Sequence, residues 1–276
     1  MMKRVLTALV LIPLILLLIF KGPFWLITPV VGAIAELALW EYLTLADATG
    51  AKTPRIAAVV AVAAIFAFTF FFPLVDLLPL TGAIVLALLI VCAFRSPLKR
   101  VLPDAAYSVF GVFYIGLSLT TLPLLSQQEN GSSLLVFLLF VVWAGDTAAL
   151  YIGRTWGRRK LAPAISPGKS WEGSAASMIG SLAITGLLLW LTTTLLAHDV
   201  AALSYPGPVL RWFVLAAILN VAAQVGDLVE SALKRGAEVK DSGSLLPGHG
   251  GVLDRIDALL IAAPVLWYAL LVQQSF

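Results

Sequence analysis

Residues 134–151 read LLVFLLFVVWAGDTAALY, an apolar run in which Asp146 is the only charged side chain. A helix of this length and polarity crosses the hydrocarbon core of a bilayer, which is about 30 Å thick. Comparable runs lie near residues 5–20, 24–45, 56–72, 77–94, 109–125, 174–196, 209–228 and 256–273. The pattern therefore predicts an all-α, polytopic integral membrane protein with about nine transmembrane helices.

The composition excludes the common classes of soluble protein. Of the 276 residues, 61% are hydrophobic and 12% are charged, against about 45–50% and about 25% in an average soluble domain. An outer-membrane barrel is excluded because its strands alternate in polarity and are about 10 residues long. The net charge of +3 gives no reason to expect a nucleic-acid partner.

The distribution of cations predicts the orientation of the helices. If the amino terminus is cytoplasmic, all 18 lysines and arginines except Lys21 and Arg211 fall in cytoplasmic segments. This asymmetry is the positive-inside pattern of helical membrane proteins. We therefore expect a multi-pass protein of the cytoplasmic (inner) membrane, with its polar site facing the cytoplasm.

Two of the predicted cytoplasmic segments, 152–173 and 229–255, are rich in glycine and in cations. The first contains Pro-Gly-Lys-Ser at 167–170, and the second contains Pro-Gly-His-Gly-Gly at 247–251. Cationic side chains and exposed backbone N–H groups bind phosphates, and glycines let the backbone approach a ligand closely. The segments therefore predict a phosphate-binding region. Cations that serve only to orient the helices would not account for the glycine motifs.

Carboxylates mark the ends of three predicted helices. Asp146 lies in the sixth run, Asp227 ends the eighth, and Asp254 and Asp257 open the ninth. Beside phosphate-binding segments, Asp227 and Asp254 suit Mg²⁺, which takes one or two carboxylates together with phosphate oxygens. Asp146 and Asp257 are further candidate ligands. Salt bridges to nearby arginines and helix capping are the alternatives for these carboxylates.

The chemistry-bearing residues concentrate in the carboxyl-terminal half. We therefore expect residues 1–130 to form scaffold and lipid-access helices and residues 131–276 to form the catalytic region. Glu36 and Glu41 lie inside the second apolar run. A carboxylate there costs several kcal/mol unless it has a partner or faces a polar cavity. We expect each of them to pair with a cation of the core or to line a lipid-facing cavity.

The stretch from Ser231 to Asp257 resembles the signature of bacterial phosphatidate cytidylyltransferases (CDP-diacylglycerol synthases). The matching positions are Ser231, Lys234, Arg235, Lys240, Asp241, His249, Gly250, Gly251, Asp254, Arg255 and Asp257. Two upstream stretches, 143–146 and 165–173, also look like segments of that family. The resemblance covers roughly residues 143–257, whereas the first 130 residues agree only in size and hydropathy.

The resemblance implies an enzyme that makes CDP-diacylglycerol and pyrophosphate from CTP and phosphatidic acid. It also implies a homodimer in the lipid bilayer, with Mg²⁺ held by Asp227 and Asp254 and a monovalent cation such as K⁺ as a second ion. The predicted catalytic residues are Asp227, Asp254, Lys169, Lys240, Asp241 and Arg255. The predicted substrate-binding residues are Ser170, Lys234, Arg235, His249, Gly250 and Gly251.

Two alternatives remain open at this point. A transporter or channel with an intramembrane acidic cation site would also place carboxylates and glycines at membrane depth. Such a protein is expected to show symmetry between its halves, whereas the polar residues here gather in one half. Within the enzyme class, the acceptor is alternatively an ether-lipid phosphate or the phosphate of another membrane alcohol.

Overall fold

The structure is a computed structural model that describes residues 2–73, 75–243 and 250–274, with side chains between residues 11 and 273. Most of these residues are helical, as the apolar runs predict. The helices are α1 (Met2–Lys21), α2 (Phe24–Ala48), α3 (Arg55–Phe71), α4 (Leu78–Arg95), α5 (Val101–Gly111), α6 (Ser118–Ser126), α7 (Gly131–Trp156), α8 (Trp171–Ala197), α9 (Val209–Gly236), α10 (Leu253–Ile256) and α11 (Leu259–Gln274). A 3₁₀ turn at Leu98–Arg100 precedes α5, and a π-helical turn at Val112–Leu117 joins α5 to α6.

Seven helical segments of the described residues are long and apolar enough to cross a membrane. They are Phe24–Ala48, Leu78–Arg95, Leu98–Ser126, Gly131–Trp156, Trp171–Ala197, Val209–Gly236 and Leu253–Gln273. Two further apolar stretches, Leu11–Lys21 and Arg55–Phe71, are shorter. The chain is thus an all-α, multi-pass membrane protein, and the count of nine spans stays a prediction.

Two helices extend beyond the apolar runs into the polar segments. Helix α7 ends at Trp156 rather than near residue 151, and α9 ends at Gly236 rather than near residue 228. The residues added to α9 include alanine, leucine, lysine and arginine, which favour the helix after hydropathy has fallen. Asp227 therefore lies inside α9, roughly two turns before its end, and its predicted place at the helix end is wrong.

The segment predicted as a loop at 152–173 contains a β-hairpin. Strands β1 (Lys160–Ala162) and β2 (Ser166–Ser170) are antiparallel, with Lys160 opposite Ser170 and Ala162 opposite Ser166. Pro163 follows β1, and its missing N–H is typical of a strand end. Strands this short offer too few residues for an alternating pattern to reveal them in the sequence.

The chain divides into two compact units. Unit 1 comprises Met1–Leu124 and Leu233–Ile256, and unit 2 comprises Leu125–Ala232 and Asp257–Phe276. The fully buried side chains of unit 1 include Leu39, Leu43 and Ile65. In unit 2 the ring of Trp212 packs edge-on against Phe137 and Tyr205, with centroid separations of 5.1 and 5.0 Å. The predicted boundary at residue 130 separates a scaffold region from a catalytic region by function, which the division into compact units does not test. It stays a prediction.

Candidate active site

Asp227 and Lys169 form the centre of a polar cluster in unit 2. The Nζ atom of Lys169 lies 2.7 Å from Oδ2 of Asp227, and the two side chains are 24% and 38% exposed, respectively. Asp146 of α7 interacts electrostatically with both of them. Three predicted site residues, from α7, β2 and α9, are thus brought together at a position that remains open to a ligand.

Lys169 is held in place by the junction of β2 and α8. The next residue, Ser170, ends β2 and caps α8, because its Oγ accepts a hydrogen bond of 3.1 Å from the backbone N–H of Gly173. Serine is among the preferred residues at this position. Ser170 is only 4% exposed, so its oxygen serves the helix. A contact between Ser170 and a substrate phosphate stays a prediction.

Glu172, in the first turn of α8, fixes the residues that lead into β1. Its carboxylate accepts hydrogen bonds from the backbone N–H groups of Arg158 at 3.1 Å and Arg159 at 3.2 Å. The backbone N–H of Trp171 donates to the carbonyl of Arg159 at 2.9 Å. A cleft of about 350 Å³ opens here, lined by Thr155, Trp156, Gly157, Arg158 and Glu172. The open end of the hairpin is therefore tied to the start of α8 through both of its strands.

A ladder of hydrogen bonds joins α8 to the part of α9 that precedes Asp227. Asn220 donates through Nδ2 to Oγ of Ser177 at 2.8 Å, and Gln224 donates to Oδ1 of Asn220 at 2.6 Å. Ser174 donates to Oε1 of Gln224 at 2.5 Å. Asn220, Gln224 and Asp227 share one face of α9, because they are spaced by four and three residues. The ladder therefore fixes the rotation of the helix that carries Asp227.

In unit 1, both carboxylate oxygens of Asp254 accept hydrogen bonds. Nζ of Lys234 lies 2.6 Å from Oδ1, and the pair is well buried, with the lysine 14% and the aspartate 7% exposed. Oδ2 accepts from the backbone N–H groups of Ser242 at 3.0 Å and Gly251 at 2.7 Å. The hydroxyl of Ser242 also lies 3.0 Å from Oδ2. Asp254 thus organises the signature segment and pairs with a predicted substrate-binding cation.

Glu41 of α2 is a second buried carboxylate that binds the signature segment. Its Oε1 accepts from the backbone N–H of Val252 at 3.0 Å, and its Oε2 accepts from that of Leu253 at 2.9 Å. The hydroxyl of Ser242 lies 3.0 Å from the same Oε2. The partners of Glu41 are therefore amides and a hydroxyl. The expected pairing with a core cation or exposure to a lipid-facing cavity is wrong for this residue.

The other predicted residues lie at or near the surface of the described segments. The exposed ones are Arg235, Lys240, Asp241 and Arg255. Asp257 is half-buried, and its Oδ1 accepts from the backbone N–H of Ala258 at 2.8 Å. Gly250 has a φ of +80°. His249 lies outside the described residues.

Asp227 suits a divalent cation better than Asp254 does. Across the described ranges, no three His, Cys, Asp or Glu side chains come together, so a metal would depend on substrate and water oxygens, as Mg²⁺ commonly does. Oδ1 of Asp227 accepts only one long described hydrogen bond, of 3.4 Å, from Oγ of Ser231. Both oxygens of Asp254 already have donors. A metal at Oδ1 would compete with the Lys234 ammonium for the same oxygen.

One family model and several relatives match the chain. The model, described as Cytidylyltransferase family, covers residues 2–273. A phosphatidate cytidylyltransferase of Pseudomonas aeruginosa is 35% identical over 281 residues, which cover 97% of each protein. One of Haemophilus influenzae is 33% identical over 295 residues, 96% of this chain and 97% of that protein.

A third relative matches over a shorter stretch. A phosphatidate cytidylyltransferase of Brucella melitensis is 47% identical over 160 residues, which cover 57% of this chain and 54% of that protein. The resemblance found in residues 143–257 is confirmed, and the family model extends it to the amino-terminal half. The chain belongs to the cytidylyltransferase family.

Proposed function

We propose that this membrane protein is a phosphatidate cytidylyltransferase, which transfers the cytidylyl group of CTP to phosphatidic acid and releases pyrophosphate. The support is the family match over residues 2–273 and the name borne by relatives that align over nearly the whole chain. The structural observation that carries the proposal is the half-exposed ion pair of Lys169 and Asp227 beside Asp146. A cation next to carboxylates suits a phosphate and the metal that accompanies it.

The lipid phosphate is the nucleophile in this reaction. The second pKa of a phosphate monoester is about 6, so the group is largely ionised near neutral pH and needs no strong protein base. Its oxygen attacks the α-phosphorus of CTP. The new P–O bond forms as the bond to the bridging oxygen breaks, and pyrophosphate leaves with that electron pair. The main barrier is the approach of two anions.

The cations of the chain lower that barrier. Lys169, Lys240 and Arg255 neutralise the triphosphate and the departing pyrophosphate. Lys234, Arg235, His249 and the backbone of Gly250 bind phosphate oxygens. The predicted role of Gly251 does not fit the structure, because its N–H donates to Oδ2 of Asp254 at 2.7 Å. Donors that are already in place where charge develops lower a barrier by about 2.7–4 kcal/mol each. Lys169 suits this role because β2 and the cap of α8 hold its backbone.

The family resemblance assigns Asp227 and Asp254 to Mg²⁺, with Asp146 and Asp257 as further candidate ligands and a monovalent cation such as K⁺ as a second ion. When bound, Mg²⁺ supplies charge neutralisation at the phosphate oxygens. Asp227 would hold it through the oxygen that Lys169 leaves free. Asp254 would exchange Lys234 for the metal, which would make the Lys234 ammonium available to a phosphate.

The placement in the membrane follows from the charges of the sequence. Nine spans, a cytoplasmic amino terminus and an active site facing the cytoplasm agree with the distribution of lysine and arginine. This orientation gives the site access to soluble CTP, while phosphatidic acid keeps its acyl chains in the inner membrane. We also propose a homodimer, as the family resemblance implies.

The test is pyrophosphate release by purified protein in detergent micelles with phosphatidic acid and Mg²⁺, run in parallel with CTP, UTP, GTP and ATP. Release with CTP alone, lost when lipid or metal is omitted, is the expected result. An ether-lipid phosphate offered in competition tests the acceptor. The family match does not support the transporter alternative. No release from folded protein, together with CTP-independent ion flux in liposomes, would overturn the proposal.

A further inference from the structure

Glu41 lies in the second helix of the chain, yet its described hydrogen-bond partners lie 201 to 212 residues later. We propose that Glu41 is a positioning residue, which fixes the backbone around Asp254 so that Asp254 and Lys234 are held ready for the substrate. This inference rests on the proposed function for its catalytic meaning. The contacts themselves stand independently of it, and all of them lie within unit 1.

The carboxylate of Glu41 is matched to the donors around it. It is 3% exposed and accepts one backbone N–H on Oε1 and another on Oε2, from Val252 and Leu253. These two amides immediately precede Asp254 in the chain. A buried donor left without an acceptor is costly, and a glutamine would offer only one acceptor oxygen to the two N–H groups. A side chain with two acceptor oxygens, one for each N–H group, is therefore what this position requires.

Ser242 connects Glu41 to Asp254. Its hydroxyl lies 3.0 Å from Oε2 of Glu41 and 3.0 Å from Oδ2 of Asp254, and its backbone N–H donates to Asp254. Ser242 thus contacts Glu41 on one side and Asp254 on the other. A shift of Glu41 would move both the residue that donates to Asp254 and the residues that precede it.

Two glycines of the loop leave room for Glu41. A Cβ atom at Gly243 would collide with Oε1 of Glu41, and one at Gly251 would collide with Oε2 of Glu41 and with Oγ of Ser242. The sequence suggests that glycines in this region let a ligand approach. At Gly243 and Gly251 the group that approaches is the Glu41 carboxylate, so the glycines belong to the same positioning device.

The first experiment compares Glu41→Gln with Glu36→Gln. Glu36 is a matched control because it lies on the same helix and makes no hydrogen bond to the signature segment among the described residues. Misplacement of a reacting group by about 1 Å costs about 100-fold in rate. We expect Glu41→Gln to lower kcat by about that factor, with little change in the KM for CTP and with a fall of a few degrees in Tm from the unpaired N–H group. Glu36→Gln is expected to keep the wild-type kcat.

Hydrogen exchange gives a readout that does not depend on turnover. The amides of Val252 and Leu253 are expected to exchange faster in Glu41→Gln than in the wild type, with no such change in Glu36→Gln. Wild-type kcat or unchanged exchange in Glu41→Gln would overturn the inference. If wild-type protein releases no pyrophosphate with CTP, the proposed function fails, whereas the exchange measurement still decides whether Glu41 holds the loop.

A double-mutant cycle covers the case in which Glu41→Gln folds poorly. The three nearest atoms to a Cβ at Gly243 all belong to Glu41, so Gly243→Ala is expected to lower both kcat and Tm through that clash. In a Glu41→Ala background the clash is gone, and Gly243→Ala is expected to cost nothing further. Additive losses in kcat and Tm would overturn the inference.

Discussion

Nζ of Lys234 lies 2.6 Å from Oδ1 of Asp254, and both side chains are largely shielded from solvent. The pair of Lys169 and Asp227 is about as short but considerably more exposed. Burial decides what such a pair contributes: an exposed pair adds about 0–1 kcal/mol to stability, whereas removing one member of a buried pair costs about 3–5 kcal/mol. The two aspartates assigned to the metal therefore differ in how much their ion pairs contribute to the stability of the fold.

Substitution of each aspartate is expected to separate chemistry from stability. Asp227→Asn and Asp254→Asn should each abolish pyrophosphate release. Asp254→Asn should also lower Tm clearly, because it removes the negative charge that lies 2.6 Å from the buried Lys234 ammonium, whereas Asp227→Asn should leave Tm almost unchanged. Asp199→Asn is the control, since asparagine tolerates the φ of 58° at this exposed position. Near-normal rates in both site variants would contradict the metal assignment.

Removal of the Lys169 ammonium is expected to lower kcat by about 100-fold or more, because it takes a fixed positive charge away from the phosphates. Lys169→Met should show this loss, while Lys160→Met should not. Lys160 is a fair control because it lies in the same hairpin and is exposed. Steady-state kinetics with CTP measure the difference. Equal rates in the two variants would remove Lys169 from the site.

Removal of divalent metal with EDTA is expected to stop turnover, and added Mg²⁺ is expected to restore it. Asp146 interacts with Asp227 and Lys169, so Asp146→Asn should raise the Mg²⁺ concentration needed for half-maximal rate. A Mg²⁺ titration of the wild type, Asp146→Asn and Asp199→Asn measures this. Turnover that persists in EDTA would exclude a required metal, and an unchanged titration would exclude a role for Asp146 in binding it.

The ladder between α8 and α9 is expected to contribute to stability. Asn220→Leu removes its hydrogen bonds to Ser177, Ser181 and Gln224, and membrane-buried bonds of this kind are worth about 0.6 kcal/mol each. Tm should therefore fall in this variant. Thr192→Val is the matched control, because the described hydrogen bond of Thr192 goes to the carbonyl of Leu188 in its own helix. Equal Tm values for the two variants would contradict a special role for the ladder.

The orientation of the helices is testable by cysteine labelling. Cys92 is the single cysteine and is buried, so Cys92→Ser gives a background without cysteine. With nine spans and a cytoplasmic amino terminus, Asp76→Cys should react with a membrane-impermeant maleimide in intact cells. Lys52→Cys should react only after the membrane is broken. The opposite pattern would invert the predicted topology, and labelling of both in intact cells would remove α3 as a span.

The sequence predicts most of the helices because hydropathy is a local property of the chain. It also predicts Asp146 and Asp227 as candidate site residues, because a charge at membrane depth is costly and needs a reason. It predicts Lys169 because this lysine lies in a glycine motif of a cation-rich segment. It does not predict that Glu41 binds the signature segment, since that contact joins residues about 200 positions apart and leaves no local pattern. The ladder could have been inferred from the sequence, because Ser174, Ser177 and Ser181 recur at helical spacing in an apolar run.

The double role of Ser170 has a consequence for how this chain can change length in evolution. One inserted residue between Lys169 and α8 would rotate the whole helix by about 100° relative to the strand, and it would separate the ammonium from Asp227. Additional residues between Ala162 and Ser166 would only enlarge the exposed tip of the hairpin. Among natural variants, insertions should therefore accumulate at the hairpin tip, while the spacing from 169 to 173 stays constant.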